Sequence, residues 1–227
     1  MGWSIDTDMP SAQATVRTLL ISDGGLCAAT CALMDRQPES LALWLAPHRS
    51  ASIDWPAAAV SSIHHDAARE FAGRFALDVD ACPPLHWPAA GAPESEWAGV
   101  ECLPDGVMLL LAVQRARALG ATSVVWPVVA GDSVQWLTNC DQIARHAEQL
   151  AQAHHYARHQ DDDCPAVEIN LPLADLTKSR VGELACDLGV PIDTCWWSSK
   201  RPDEPESTLD ARMHWKRALR EVAVGAF

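Results

Sequence analysis

The chain has 227 residues, a hydrophobic fraction of 48% and a formal net charge of −13 at pH 7, which suits one domain with a sizeable core. The acidic balance disfavours binding to the phosphate backbone of DNA or tRNA, although a local pocket can still hold a small nucleotide. The chain has no long apolar run and no signal pattern in its first residues, so we expect a cytoplasmic protein without a membrane span.

The predicted elements alternate between strands and helices. Residues 1–13 are expected to form a mobile arm before a single domain, residues 14–227. Short apolar runs predict strands at residues 14–22, 41–46, 123–129 and 166–170. Helical spacing and end signals predict helices at residues 27–34, 56–76, 106–119, 139–159, 177–188 and 207–222. Residues 80–104 are rich in Pro and Gly and predict a long surface loop.

Two kinds of end signal support these helices. Thr177 is the predicted N-terminal cap of its helix, and Gly120 and Gly189 are predicted to end theirs. The alternation as a whole predicts an α/β fold, with a doubly wound parallel sheet of about five strands and helices on both faces.

The first predicted strand leads directly into a glycine turn and a helix. Gly24 and Gly25 separate Ser22, at the end of the strand, from the helix that contains Cys27. Backbone N–H groups in the first turn of a helix have no partner within it, and they bind anions in many α/β proteins. The stretch therefore predicts a phosphate-binding turn above the two glycines.

This turn resembles the first motif of the PP-loop ATP pyrophosphatases, which is Ser-Gly-Gly-X-Asp-Ser. Residues 23–28 here are Asp-Gly-Gly-Leu-Cys-Ala, so both glycines remain and the three polar residues are replaced. Three later segments are similar to 7-cyano-7-deazaguanine synthase of the same superfamily: Pro-Leu-Ala-Asp-Leu-Thr-Lys at 172–178, a segment ending Leu-Gly-Val-Pro at 182–191, and Thr-Cys-Trp-Trp-Ser at 194–198.

The resemblance covers residues 18 to 219 and implies specific chemistry. The synthase converts 7-carboxy-7-deazaguanine and ammonia to a nitrile, a queuosine precursor, with ATP and Mg²⁺. By this resemblance the nucleotide-binding turn consists of Ser22, Asp23, Gly24, Gly25, Leu26 and Cys27. The resemblance further implies a nucleotide or deazapurine-like ligand and a homodimer. It also assigns Lys178, which matches a family lysine, and Asp132, which follows the strand at 123–129, to the pocket.

Asp23 decides how this turn is interpreted. A carboxylate 4 Å from a phosphate costs about 4 kcal/mol at an effective dielectric constant near 20, whereas a helix N-terminus returns about 0.3–2 kcal/mol. Phosphate binding then needs Mg²⁺ or a lysine as a screen. Two hypotheses remain open: Asp23 fills the anion position with its own carboxylate, or Asp23 only caps the following helix.

The resembled synthase also holds a structural zinc ion with four cysteines. The corresponding positions here are Ser199, Ser207, Asp210 and Met213, so residues 199–227 occupy the place of the zinc region and no zinc site is expected. The eight cysteines are expected to be free thiols.

Other candidate residues are weaker. Cys140 is expected to be a packed thiol rather than a nucleophile. His155 and His159 share a helical face, but a solvated helix end is favoured over a metal site. His64 and His65 lie within a predicted helix without an identified partner.

Three functional hypotheses follow. The first is a non-catalytic member of the family that acts as a ligand- or partner-binding module, because the replacements fall on chemical positions and spare packing positions. The second is an active ATP-dependent ligase or adenylating enzyme with an altered substrate. The third is a structural subunit of a homo- or hetero-oligomer.

Overall fold

A computed structural model describes residues 16–35, 40–45, 57–81, 103–158, 166–198 and 206–225. The predicted arm at residues 1–13 and most of the predicted loop at residues 80–104 lie outside the described residues. No helix within the described ranges is long and apolar enough to cross a membrane.

The described residues form a parallel sheet between helices. The strands are β1 (Thr18–Ser22), β2 (Leu41–Leu45), β3 (Asp78–Ala81), β4 (Ser123–Val125) and β5 (Glu168–Asn170). The helices are α1 (Leu26–Met34), α2 (Ala57–Phe75), α3 (Leu103–Ala118), α4 (Val134–Arg158), α5 (Lys178–Asp187) and α6 (Glu206–Gly225). A short 3-10 helix, Ile192–Thr194, follows α5.

The sheet has five strands in the order β3-β2-β1-β4-β5, and every pairing is parallel. Parallel strands require crossover connections, and the helices supply them. The predicted α/β fold with a doubly wound parallel sheet is therefore confirmed. β1 lies at the centre, between β2 and β4, where the strand order reverses.

Side-chain alternation along β1 divides the core into two layers. Leu19 and Ile21 pack with α3 and α4, whereas Leu20 packs on the opposite face with α1 and α5. All five residues of β2 are buried, as expected for a strand covered on both faces. The helices therefore lie on both faces of the sheet, as predicted.

β3 was missing from the sequence prediction. Its sequence, Asp-Val-Asp-Ala, has too few apolar residues to stand out as a buried strand. β3 pairs only with β2 in the described sheet, and an edge strand needs less apolar surface than a central one. Asp80 accepts two hydrogen bonds from Arg115 of α3, at 2.6 and 2.7 Å, which ties this edge to the helix layer.

The ends of the helices test the predicted signals. The predicted start of α4 at residue 139 is wrong, because the helix begins at Val134 and the hydroxyl of Ser133 accepts a hydrogen bond from the Trp136 N–H at 3.2 Å. The cap of α5 is confirmed, since the hydroxyl of Thr177 accepts a hydrogen bond from the Arg180 N–H. Gly120 and Gly189 follow α3 and α5 with φ values of 74° and 68°, as glycine stops should.

Candidate functional site

The candidate site lies at the carboxyl ends of β1 and β4. In open α/β sheets, ligands bind in the crevice outside the carboxyl ends of the strands where the strand order reverses. Here that point is between β1 and β4. The glycine turn follows β1, and residues 126–133 follow β4. The sequence-predicted turn is thus at the position that the topology favours for a ligand.

Local hydrogen bonds fix the conformation of the glycine turn. Gly24 has a φ of 71°, a value that favours glycine. Its N–H donates to the buried hydroxyl of Ser22 at 3.2 Å. The N–H of Gly25 donates to Oδ1 of Asp23 at 2.8 Å. Two backbone N–H groups of the turn are therefore already hydrogen-bonded to side chains of the same turn.

The hypothesis that Asp23 caps α1 is wrong. The N-cap residue is Gly25, and no side-chain hydrogen bond caps this helix. The Asp23 carboxylate bonds to the N–H of the N-cap residue itself rather than to an N–H in the first helical turn, where a capping side chain bonds. Asp23 instead stabilises the turn that precedes α1.

Helix α2 closes one side of the turn at very short range. A Cβ atom on Gly24 would lie 2.3 Å from the carbonyl oxygen of His64 and 3.0 Å from both Ala67 and Ala68. Only glycine allows this approach between backbones. The imidazole of His64 is 4% exposed, and its Nδ1 donates to the carbonyl of Asp23 at 2.8 Å.

The turn that contains Trp196 closes a second side. The N–H of Trp196 donates to the carbonyl of Gly24 at 3.1 Å. The indole stacks on the His64 ring with a centroid distance of 4.1 Å. A Cβ atom on Gly25 would lie 3.3 Å from Nε1 of Trp196 and 2.9 Å from Oδ1 of Asp23. The glycine turn is therefore enclosed by its own aspartate and by a stacked Trp–His pair.

Cys27 and Cys31 of α1 and Cys195 beside Trp196 are all neutral thiols near pH 7. Burial raises the pKa of Cys31 to about 12 and, with the nearby charges of Asp23 and Asp193, that of Cys195 to about 12. Burial, chiefly, and then the charge of Asp23 raise the pKa of Cys27 well above its usual value, while Lys178 acts in the opposite direction. Both Asp23 and Lys178 therefore lie within electrostatic range of Cys27.

The other predicted site residues are distributed around this centre. Leu26 is 1% exposed and packs with α1 and α5 in the core, so its side chain serves packing. Lys178 is exposed at the first position of α5, and Asp132 is exposed in the turn after β4. Cys140 is fully buried among α3 and α4 residues, as predicted.

Sequence reasoning missed His64 as a residue of the site. A histidine within an amphipathic helix carries no signal of its position, and only the fold brings α2 against the glycine turn. Trp196 was within the segment at 194–198 that carries the family resemblance, but its contact with Gly24 had no sequence signal. The side chain of His155, and His159 as a whole, lie outside the described residues.

In the described part of the chain, no group of three or more His, Cys, Asp or Glu side chains is placed to hold a metal ion. Ser199 lies outside the described residues, as do the side chains of Ser207 and Asp210, so the absence of a zinc site stays a prediction.

Comparison with known proteins finds similarity to solved structures. No protein-family model matches the chain, and no curated protein matches it. Among solved structures the chain is similar to the U34-tRNA thiolase NcsA from Methanococcus maripaludis, solved with its [4Fe-4S] cluster. The identity is 12%, the match covers 93% of this chain and 71% of that chain, and the TM-score is 0.46.

Proposed function

We propose that this chain is a PP-loop-like protein whose glycine turn no longer binds ATP and whose fold serves as a non-catalytic binding module. One observation carries the proposal: the carboxylate of Asp23 accepts the Gly25 N–H at 2.8 Å. In the family that the sequence resembles, backbone N–H groups of this turn hold ATP phosphates. In this chain the Asp23 carboxylate, which is an anion of the protein itself, occupies one of these N–H groups.

Electrostatics favour the internal carboxylate over an external phosphate. An ATP phosphate near the same N–H would lie about 4 Å from the Asp23 charge and would be repelled by about 4 kcal/mol per charge pair. The helix N-terminus contributes at most about 2 kcal/mol in return. The Asp23 carboxylate also loses little conformational entropy when it bonds to the Gly25 N–H, because the two residues are two positions apart in the chain.

The surroundings of the turn also disfavour ATP. The family's aspartate position is Cys27, whose raised pKa keeps it a neutral thiol with no charge for Mg²⁺. Trp196 and His64 stack on each other beside the turn, and they are hydrogen-bonded to the backbone of Gly24 and Asp23. The residues present therefore do not fit an ATP–Mg²⁺ complex, and no reaction step is assigned to one.

A second candidate function is an ATP-dependent ligase with an altered substrate. Lys178 favours it, because the charge of this exposed residue reaches Cys27 beside the turn. A lysine in that position would screen part of the repulsion between Asp23 and a phosphate. A direct measurement of ATP affinity distinguishes the two candidate functions, because only the ligase requires that the chain bind ATP.

The test is calorimetric titration of the full chain with ATP and Mg²⁺. We expect no binding heat for the wild-type chain up to millimolar ATP. The double variant Asp23→Ser/Cys27→Asp restores the family residues and should gain measurable affinity. Asp187→Ser is the matched control, since it removes one exposed carboxylate at the far end of α5 and should gain nothing.

Two outcomes would contradict the proposal. Micromolar binding of ATP by the wild-type chain, lost in Lys178→Ala, would support the ligase hypothesis. Pyrophosphate release with 7-carboxy-7-deazaguanine and ammonia should then be assayed. A double variant that folds but binds no ATP would show that Asp23 is not what excludes the nucleotide.

A further inference from the structure

Helix α6 has an inner face that packs on the domain and an outer face that lies in water. On the inner face, Arg212 is buried and donates to the carbonyl of Trp197 at 2.7 Å, and Trp215 stacks on Trp197. On the outer face, Leu209 is 44% exposed and Met213 is 62% exposed. The fold therefore leaves two large apolar side chains of α6 uncovered, one helical turn apart.

Three exposed basic residues continue this outer face towards the end of the helix. Lys216, Arg217 and Arg220 follow Met213 at three, four and seven positions, and all three are exposed. Residues at these spacings lie on one face of a helix. We call this surface the α6 stripe. It has an apolar end, Leu209 and Met213, and a basic end, Lys216, Arg217 and Arg220.

The stability of α6 itself does not explain the basic end of the stripe. Basic residues stabilise a helix when they lie in its last turn, near the negative end of the macrodipole. The last turn of α6 contains none. Lys216 and Arg220 also form no ion pair with any residue in the described ranges. These two charges can therefore pair with the carboxylates of a partner without breaking a contact within the described part of the domain.

The stripe reverses the charge balance of the chain. The whole sequence has 17 Lys and Arg against 30 Asp and Glu. Residues 211–220, in contrast, contain four basic residues and no acidic one. A local cluster of one sign steers a group of the opposite sign to that surface, whatever the net charge of the protein. An acidic group that approaches this chain is therefore directed to α6.

We propose that the α6 stripe is a docking surface for a different protein, which contributes an acidic amphipathic helix. The apolar side chains of that helix would cover Leu209 and Met213, and its carboxylates would pair with Lys216 and Arg220. The stripe extends over about 16 Å of α6, so a partner helix of about 12 residues is long enough to cover it. Recognition of an amphipathic helix through its apolar anchors is a common mode of protein–protein binding.

The apolar end favours a protein segment over nucleic acid or a membrane. Nucleic acid gains its affinity from phosphate contacts and would leave Leu209 and Met213 uncovered. A helix that binds a membrane inserts a broad apolar face, but the broad apolar face of α6 is turned to the domain, where Trp215 and Leu219 pack against the core. An acidic helix with apolar anchors is the partner that matches both ends of the stripe.

The contact is expected to be weak. One helix laid along another buries less surface than a standard interface of about 1,600 Å². The net charge of −13 also repels an acidic partner at long range. A dissociation constant on the order of 10–100 μM is consistent with these two effects.

The test is a fluorescence anisotropy titration of the full chain into three labelled peptides of about 15 residues. The first peptide has two leucines one helical turn apart, with a pair of glutamates one turn beyond them on each side, so it can dock in either direction. The second has glutamine in place of glutamate, and the third has serine in place of leucine. We expect the first peptide to bind and the other two to bind at least about tenfold more weakly.

Charge variants of the chain locate the binding surface. Lys216→Glu/Arg220→Glu should weaken binding of the first peptide at least about tenfold, because two attractions become two repulsions. Arg69→Glu/Arg145→Glu is the matched control, since it makes the same change in net charge at exposed positions on α2 and α4. This control should bind the peptide with an affinity within about twofold of the wild-type value.

A second pair of variants tests the apolar end. Met213→Ser should weaken binding several-fold, because it removes one of the two apolar anchors. Leu150→Ser is the control, since Leu150 is 60% exposed on α4, away from the stripe. Circular dichroism and thermal unfolding verify that every variant is folded, so that a loss of binding reports on the stripe.

Three results would overturn the proposal. The first is that the wild-type chain binds none of the peptides up to about 1 mM. The second is that the charge variant binds as well as its control. The third is that oligouridine or vesicles of phosphatidylserine and phosphatidylcholine bind the stripe more tightly than the first peptide does, which would assign it to that partner. ATP affinity is measured at the glycine turn, so the proposals for the turn and for α6 can fail independently.

Discussion

Replacing Gly24 by alanine tests how closely α2 approaches the glycine turn. Gly24 has a φ of 71°, and its added Cβ would lie 2.3 Å from the carbonyl oxygen of His64. Gly120 provides a matched control, because its φ is 74° and an added Cβ would meet nothing within 4 Å. The two substitutions impose the same backbone strain and differ in steric overlap.

The expected costs follow from these two geometries. Alanine in the left-handed region costs about 1–2 kcal/mol, which is the whole expected effect of Gly120→Ala. In Gly24→Ala the Cβ must move away from a backbone oxygen by nearly 1 Å, and overpacking of this kind typically adds about 1–3 kcal/mol. We therefore expect Gly24→Ala to lower the free energy of unfolding by about 2–5 kcal/mol.

Equilibrium unfolding in urea would measure both variants. For a chain of this size, each kcal/mol also lowers the melting temperature by about 2–4 °C. If Gly24→Ala costs no more than Gly120→Ala, α2 does not press on the turn as described. The enclosure of the turn by His64 and Trp196 would then lose its structural basis.

Other measurements test the helix caps and the buried thiols. Thr177→Ala should lower the free energy of unfolding by about 0.5–1 kcal/mol, because its hydroxyl accepts the Arg180 N–H; Thr138→Ala, an exposed threonine within α4, should change little. Iodoacetamide at pH 8, followed by peptide mass spectrometry, should label exposed Cys186 first and reach Cys31 and Cys195 only on unfolding. Since the pKa values of Cys31 and Cys195 are raised to about 12 from an ordinary value of 9.0, their stabilising contribution is complete below about pH 9 and is lost as the pH rises towards 12. The free energy of unfolding should fall over that range, and less steeply in Cys31→Ala/Cys195→Ala; equal slopes would contradict the assigned burial.

The sequence contained most of the architecture because the central strands are short apolar runs with clear boundaries. β1 and β2 are buried on both faces, so their composition alone marks them. β3 was not predicted because it lies at an edge of the sheet, where Asp78 and Asp80 are tolerated and one buried face suffices. The start of α4 was misplaced because Ser133, which receives the Trp136 N–H, precedes a stretch with little helical periodicity.

The site was predictable only in part. Gly24 and Gly25 mark a turn from sequence alone, and the segments at 23–28 and 194–198 were both singled out by resemblance. Their contact, through the Trp196 N–H and the Gly24 carbonyl, depends on the tertiary fold. The role of Asp23 also depends on the folded structure, because an aspartate before a helix is compatible with a cap, an anion mimic or an internal turn bond.

The strand order has a consequence for synthesis of the chain on the ribosome. β1 pairs with β2 almost at once, but its other edge pairs with β4, where Thr18 meets Ser123 about 100 residues later. At typical elongation rates of about 5–20 residues per second, this gap lasts about 5–20 seconds. Throughout that time the nascent chain exposes the backbone and apolar side chains of its central strand. Chaperone binding during translation should therefore be strongest between the emergence of β2 and that of β4.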